Sequence, residues 1–207
     1  MRTKTQIGAV VLAAGASRRM GATNKLMVEV EGTPMVARVV DALAGSRIGR
    51  IVVVTGHEPE RIRETLGERD VELVHNPDYA EGIASSIRAG IIALGDDVDG
   101  ALIALADMPW IGPEVLDRLI DAFTADGELS IFVPMFGRKR GNPVLWSSVH
   151  FPELRGLVGD VGGKALFHRH SAAICCVDVE NAGINIDVDT PEALEALGIH
   201  HDEQENA

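Results

Sequence analysis

Short apolar, β-branched runs alternate with amphipathic stretches along the first two thirds of the chain. Ile7 to Leu12, Ile51 to Thr55, Val71 to His75, Ala101 to Ala106 and Ser130 to Pro134 read as strands. The first and fourth are apolar almost throughout, the pattern of strands covered on both faces. Helical periodicity occupies Pro34 to Ala44, Pro59 to Leu66, Ala84 to Leu94 and Pro113 to Phe123, three of which begin at a proline suited to a first helical turn. This alternation predicts an α/β fold of three layers, with a doubly wound, mainly parallel, Rossmann-like sheet. In such a sheet ligands bind in the crevice outside the carboxyl ends of the strands.

Beyond Met135 the rhythm changes. Phe136 to Pro143 is rich in Gly and Arg and reads as a hairpin or active-site loop. Helices are expected near Ser147 to Leu157 and Gly163 to His168, strands at Ala173 to Val179 and Ile184 to Val188, and a last helix opened by Pro191. No linker rich in Pro, Gly or Ser divides the chain, and no internal repeat occurs. The expectation is a single domain over 1–198 and a frayed acidic tail over 199–207.

At 207 residues, 46% hydrophobic and 24% charged, the chain has the make-up of a globular domain with a full core. A formal net charge of −12 and only 4% aromatic residues argue against a nucleic-acid binder, which needs positive surface and stacking rings. The cysteines Cys175 and Cys176 are adjacent, so neither a disulfide framework nor a spaced metal set can be drawn; two small apolar fillers on opposite faces of a strand is the plain reading. Met1-Arg2-Thr3-Lys4 followed by Ile7 to Ala14 imitates a secretory signal, but Gly8 interrupts it and Arg18-Arg19 follow at once. No apolar run approaches the roughly 18 residues of a membrane span. A cytoplasmic protein with no membrane or nucleic-acid partner is expected.

Candidate chemistry gathers after the first strand, in Leu12-Ala13-Ala14-Gly15-Ala16-Ser17-Arg18-Arg19-Met20-Gly21, with Lys25 four residues on. Small residues let backbone amides approach phosphates, and Arg and Lys supply charge. The spacing is not that of the dinucleotide fingerprint, and no Gly-Lys-Ser or Gly-Lys-Thr follows. Asp107, at the end of the fourth strand, faces the crevice either as a ligand for Mg²⁺, which prefers hard oxygen donors, or as a cap for the next turn. Asp187 and Asp189 are two apart and would share one face of a strand, although Asp189 also suits a helix cap. Asn76, Gly82 and Ser85, between the third strand and its helix, offer small polar contacts to a ribose or base edge, with capping as the other reading of the serine. Arg138-Lys139-Arg140-Gly141-Asn142-Pro143 and Gly159-Asp160-Val161-Gly162-Gly163-Lys164 complete the set, with solvated surface as the alternative for the basic run.

The first of these segments, with Ser17, Arg19, Met20 and Gly21 in order and Lys25-Leu26 downstream, resembles the signature loop of the MobA-like nucleotidyltransferases, a group of IspD-type, sugar-phosphate and molybdenum cofactor enzymes. Ala106-Asp107-Met108-Pro109 and Asp187-Val188-Asp189-Thr190-Pro191-Glu192 are similar to the group's two metal segments. Gly82-Ile83-Ala84-Ser85-Ser86 resembles its cytidylyltransferase branch, as does Ala13-Ala14 where guanylyl relatives tend to carry a second glycine. The segments around Arg140-Gly141-Asn142-Pro143 and Gly159-Asp160-Val161-Gly162 resemble the acceptor motifs of molybdenum cofactor cytidylyltransferases, and the likeness extends to about Leu197. It implies that Leu12, Ala13, Ala14, Gly15, Ser17, Arg18, Gly21, Asn76, Gly82 and Ser85 contact the nucleotide, and that Arg19 and Lys25 act on its phosphates. It further implies Asp107 as primary ligand of Mg²⁺ (or Mn²⁺) with Asp187 or Asp189 as the second, and Arg140, Asn142 and Asp160 on the acceptor side. The implied reaction moves CMP from CTP to the terminal phosphate of molybdopterin cofactor and releases pyrophosphate, with a molybdoenzyme or its maturation chaperone as a further partner. Two other readings stand beside it: transfer to another phosphorylated acceptor such as a sugar or alditol phosphate, and a carrier of molybdopterin without catalysis.

Overall fold

The computed structural model describes residues 5–17, 24–125 and 128–188. Arg18, Arg19, Gly21 and Asp189 lie outside the described residues, as do the helix expected at Pro191 and the tail. In chain order the elements are β1 (Ile7–Ala13), β2 (Glu29–Val30), β3 (Thr33–Pro34), α1 (Met35–Ala44), β4 (Arg50–Thr55), α2 (Pro59–Leu66), β5 (Glu72–His75), α3 (Ile83–Leu94) and β6 (Gly100–Leu105). They continue with α4 (Pro113–Ala125), β7 (Ile131–Phe136), β8 (Lys139–Arg140), β9 (Val144–Ser147), α5 (Phe151–Arg155) and β10 (Ile174–Asp178).

β1 is the axis of the sheet because its side chains are apolar in both directions. Ile7, Ala9, Val11 and Ala13 enter a core built with α1, α2 and α4, whereas Val10 enters the core built with α3 and α5. Helices therefore cover both faces, as a parallel sheet requires. β1 pairs in parallel with β4 on one side and β6 on the other, and β4 pairs in parallel with β5. The order β10-β7-β9-β6-β1-β4-β5 thus reverses direction of growth between β1 and β6, which leaves a crevice outside their carboxyl ends. Among the described strands on this path only β9 runs against the rest, antiparallel to both β6 and β7. β8 folds back on β7 as a hairpin, and β2 with β3 forms a separate ribbon.

The architecture is the three-layer, mainly parallel α/β sheet expected from the sequence. Three local expectations are corrected. The helix expected over Ser147 to Leu157 is a 3₁₀ turn, Ser148–His150, running into the short α5, and the helix expected at Gly163 to His168 is a 3₁₀ turn over Gly163–Phe167. Ile184 to Val188 is not a strand: Asn181 accepts from the Gly183 amide at 2.7 Å and opens a 3₁₀ turn over Ala182–Asn185, followed by irregular backbone. Asp187 is therefore placed by that turn and not by a strand register. No helix of the described residues is long and apolar enough to cross a membrane.

Candidate functional site

The two described ends of the glycine-rich loop are fastened together beside the crevice. β1 stops at Ala13, and the Ala14 carbonyl accepts the His57 amide at 3.2 Å, stitching the loop to the turn after β4. Ser17 sits at φ 48°, and its Oγ accepts from the Lys25 amide at 3.2 Å while donating to Asn24 Oδ1 at 3.4 Å. Asn24 is only 2% exposed; Oδ1 also accepts the Leu26 amide at 3.2 Å and Nδ2 donates to Glu58 Oε2 at 3.1 Å. Arg61, and after it Asn24, hold the Glu58 carboxyl below the usual carboxylate range. Sequence reasoning missed Asn24 and Glu58. Asn24 carried a signal in its preference for turns ahead of an apolar residue; Glu58 lies 34 positions away and carried none.

Lys25 leaves this clasp to meet the end of β6. Its ammonium donates to Asp107 Oδ2 at 2.5 Å, and both side chains are largely shielded, at 14% and 16% exposure. Asp107 is located by its neighbours: the Ala106 amide donates to the Leu12 carbonyl at 3.2 Å, and the Asp107 carbonyl accepts the Val188 amide at 3.2 Å. That last bond lays the Asp187 segment alongside Asp107. Arg38, from α1, steadies the same turn by donating to the carbonyls of Pro109 at 3.2 Å and Val30 at 3.1 Å. Asp107, once released by the Lys25 ammonium, and Asp187 in the adjoining segment are carboxylates, the hard oxygen donors that suit a divalent cation such as Mg²⁺.

Two groups of candidates contact one another. Asn76 Nδ2 donates to Ser85 Oγ at 2.8 Å and to Ser86 Oγ at 3.1 Å, and all three residues are 4% exposed. Ser85 Oγ in turn donates to the Gly82 carbonyl at 2.9 Å. These polar atoms shape the turn between β5 and α3. Asp160 Oδ1 accepts the Ile83 amide at 3.3 Å, so it caps α3. Gly82 has φ 114°, and a Cβ there would lie 2.6 Å from the Asp160 Cα; only glycine permits both the backbone angle and the approach. Gly82 and Asp160, expected on the nucleotide and acceptor sides respectively, are thus in contact across 78 positions of chain.

A cavity of about 250 Å³ opens between these parts, and Leu12, Leu105, Asn142, Trp146, Gly163 and Lys164 are among its walls. Leu12 and Asn142 are the sequence candidates that line it. Asn142 is held by its amide, which donates to the Ile184 carbonyl at 3.0 Å. Arg140 is exposed, with its guanidinium 6.0 Å from the Phe167 ring centre. Trp146 was not singled out by sequence; it stacks on Phe167 at 5.7 Å between ring centres. Lys164 keeps much of its surface in solvent, yet the protein packed around its ammonium lowers its pKa, against the opposing pull of Asp187. A larger concavity, about 430 Å³, is lined by Glu114, Arg118 and Asn181 and holds none of the sequence candidates.

The model of the MobA-like NTP transferase domain family matches residues 9–174. The molybdenum cofactor cytidylyltransferase of Escherichia coli is 28% identical over 189 residues, covering 90% of this chain and 92% of that protein. Purine catabolism protein PucB of Bacillus subtilis is 30% identical over 95% of this chain and 98% of its own. Bifunctional protein GlmU of Symbiobacterium thermophilum is 39% identical over 131 residues, 61% of this chain, which spans only 27% of that relative's length. Among solved structures, Rv0371c of Mycobacterium tuberculosis superposes with a TM-score of 0.84 at 28% identity, covering 94% of this chain and 98% of its own, and has also been solved with manganese.

Proposed function

The chain belongs to the MobA-like NTP transferase family, and on that premise we propose that it transfers CMP from CTP to the terminal phosphate of molybdopterin cofactor, releasing pyrophosphate. The observation that carries this reading is the meeting of Lys25 and Asp107 at the carboxyl ends of β1 and β6, beside a cavity walled by Asn142 and Lys164. A triphosphate needs cationic and metal-holding groups at one rim, and the acceptor needs room next to it. The cytidylyltransferase among the relatives, matched over nearly its full length, supports the choice of base and acceptor.

An oxygen of the acceptor phosphate attacks the α-phosphorus of CTP; the bond from that phosphorus to the β-phosphate bridge oxygen breaks, and pyrophosphate leaves with the electron pair. The acceptor phosphate is already ionised near neutral pH, so the reaction needs no general base from the chain. Lys25 turns from Asp107 to the phosphates and offsets charge gathering on the leaving group, with Arg19 in the same role. Asp107 would hold Mg²⁺ or Mn²⁺ together with Asp187 or Asp189, and the ion would supply charge neutralisation to the triphosphate. Lys164, with Arg140 and Asn142, draws and orients the acceptor, so that binding fixes the in-line approach.

Asp107→Asn tests this assignment. Turnover is expected to fall by about 10²–10³-fold, the range for removal of a group acting on transition-state charge, while CTP binding measured by calorimetry is largely kept. A variant that retains turnover would contradict the role given to Asp107.

A further inference from the structure

At the opposite end of the sheet lies a cluster that the transfer reaction does not use. His150 follows β9, Glu153 sits in α5, and His170 precedes β10. Each offers one ligand atom, and the three atoms lie within 4.8 Å of one another. We propose that His150, Glu153 and His170 form a binding site for a zinc-class divalent cation, separate from the nucleotide crevice.

The placement separates the two sites. His150 Nε2 pairs with the Oγ of Ser130, which stands just ahead of β7, and β7 runs in the same direction as β6. Asp107 follows the carboxyl end of β6, so the cluster and the crevice are a strand length apart, about 20 Å for six residues.

Donor chemistry points to the class of ion. Two imidazoles and one carboxylate suit zinc and its transition-metal neighbours, whereas Mg²⁺ favours oxygen donors. His150 is 5% exposed and already oriented by Ser130, the kind of outer partner that fixes the ring of a metal-bound histidine. His170 Nε2 and Glu153 Oε1 are 2.7 Å apart, and Glu153 Oε2 is held by Arg169 at 2.7 Å. Ligand atoms about 2.0–2.2 Å from one zinc sit roughly 3.3–3.6 Å apart in a tetrahedron. The His170–Glu153 pair needs to open slightly and the remaining spread to close by a side-chain adjustment, with the fourth position left to water. The His150 and His170 rings are already edge to face, 4.7 Å between centres.

The site would fasten the segment that walls the acceptor cavity. His170 donates its amide to the Leu166 carbonyl at 3.1 Å, at the end of the turn bearing Gly163 and Lys164. Trp146, which lines the cavity, stands edge-on to His150 at 5.7 Å. A cation held by His150, Glu153 and His170 would tie that turn to α5 and to the end of β9.

Full-length protein stripped of metal and titrated with ZnCl₂ by calorimetry tests the site. Zinc is expected to bind with an equivalent that survives excess Mg²⁺, survives Asp107→Asn, and survives the joint replacement of His200 and His201 by alanine. His170→Ala and Glu153→Gln should weaken that equivalent by more than about 100-fold, and Ser130→Ala by about tenfold, as for loss of an outer partner. The side chains of His170 and Glu153 are 23% and 31% exposed, and circular dichroism checks that their variants stay folded. Cobalt in place of zinc should give visible absorption that His170→Ala abolishes. The proposal is overturned if no zinc binds, if binding is untouched by His170→Ala and Glu153→Gln, or if it is lost on replacing His200 and His201.

Discussion

Under the proposed function, Lys164 is the side chain that reports on acceptor binding. Its ammonium is disfavoured by the surrounding protein, so its pKa in the ligand-free chain lies below the ordinary 10.5, with Asp187 partly restoring it. The native state then binds fewer protons than the unfolded chain between those two pKa values, and this group's contribution to stability rises with pH across that window. An anionic acceptor favours the ammonium. Above the ligand-free pKa the acceptor KM should therefore climb with pH, by up to about tenfold per unit. Lys164→Met should raise KM at neutral pH and flatten the alkaline limb, as steady-state kinetics across the alkaline range would read; an unchanged limb would remove Lys164 from the acceptor side. Legibility at this scale follows the local motif and not the span of the contact. Lys25 and Asp107 each stood in a contiguous motif and meet across 82 positions, whereas the Asp160 cap on α3 and the Asn24–Glu58 bond, across 77 and 34 positions, are roles that their own stretches of chain do not announce. No local pattern encodes such pairs.

The elements were most legible where period and burial agree. β1, β4 and β6 are apolar runs, and α1 through α4 have apolar stripes facing a core, so their positions follow from hydrophobic pattern. β9 escaped notice because four residues after Pro143 give too short a pattern to read, and the pairing of β9 with both β6 and β7 comes from the sheet as a whole. Ile184, Ile186 and Val188 alternate like a strand, yet Ile184 and Val188 are buried in different clusters and the Asn181 side chain starts a turn instead. The junction of α3 with the segment after Gly159 offers a test at this scale. Gly82→Ala places a Cβ against the Asp160 backbone at φ 114°. The backbone angle alone should cost about 1–3 kcal/mol, read as a lower midpoint in urea unfolding. The displaced Gly159 to Lys164 segment should also raise the acceptor KM more than the CTP KM. Equal stability of the variant would contradict the packing described for α3.

For the molecule as a whole, the −12 charge first argued against anionic partners of every kind. The fold limits that argument to polyanions. Lys25, Lys164 and Arg140 come from distant parts of the sequence to the side of the sheet where β1 and β6 end, so a small triphosphate meets local positive charge within an acidic exterior that repels a long phosphate backbone. The topology accounts for this gathering, because the switch between β1 and β6 opens the crevice, and β8 with the Gly163–Phe167 turn stands on the side proposed for the acceptor. The claim that matters most is the identity of the two substrates. Purified protein with Mg²⁺ should be given molybdopterin, or a sugar or alditol phosphate, together with CTP or GTP, and its products followed by pyrophosphate release and mass. A cytidylylated molybdopterin should form at least about tenfold faster than its guanylyl counterpart, a margin within reach of pocket discrimination. Equal or greater turnover with GTP, or transfer to a sugar or alditol phosphate in place of molybdopterin, would contradict the proposed reaction.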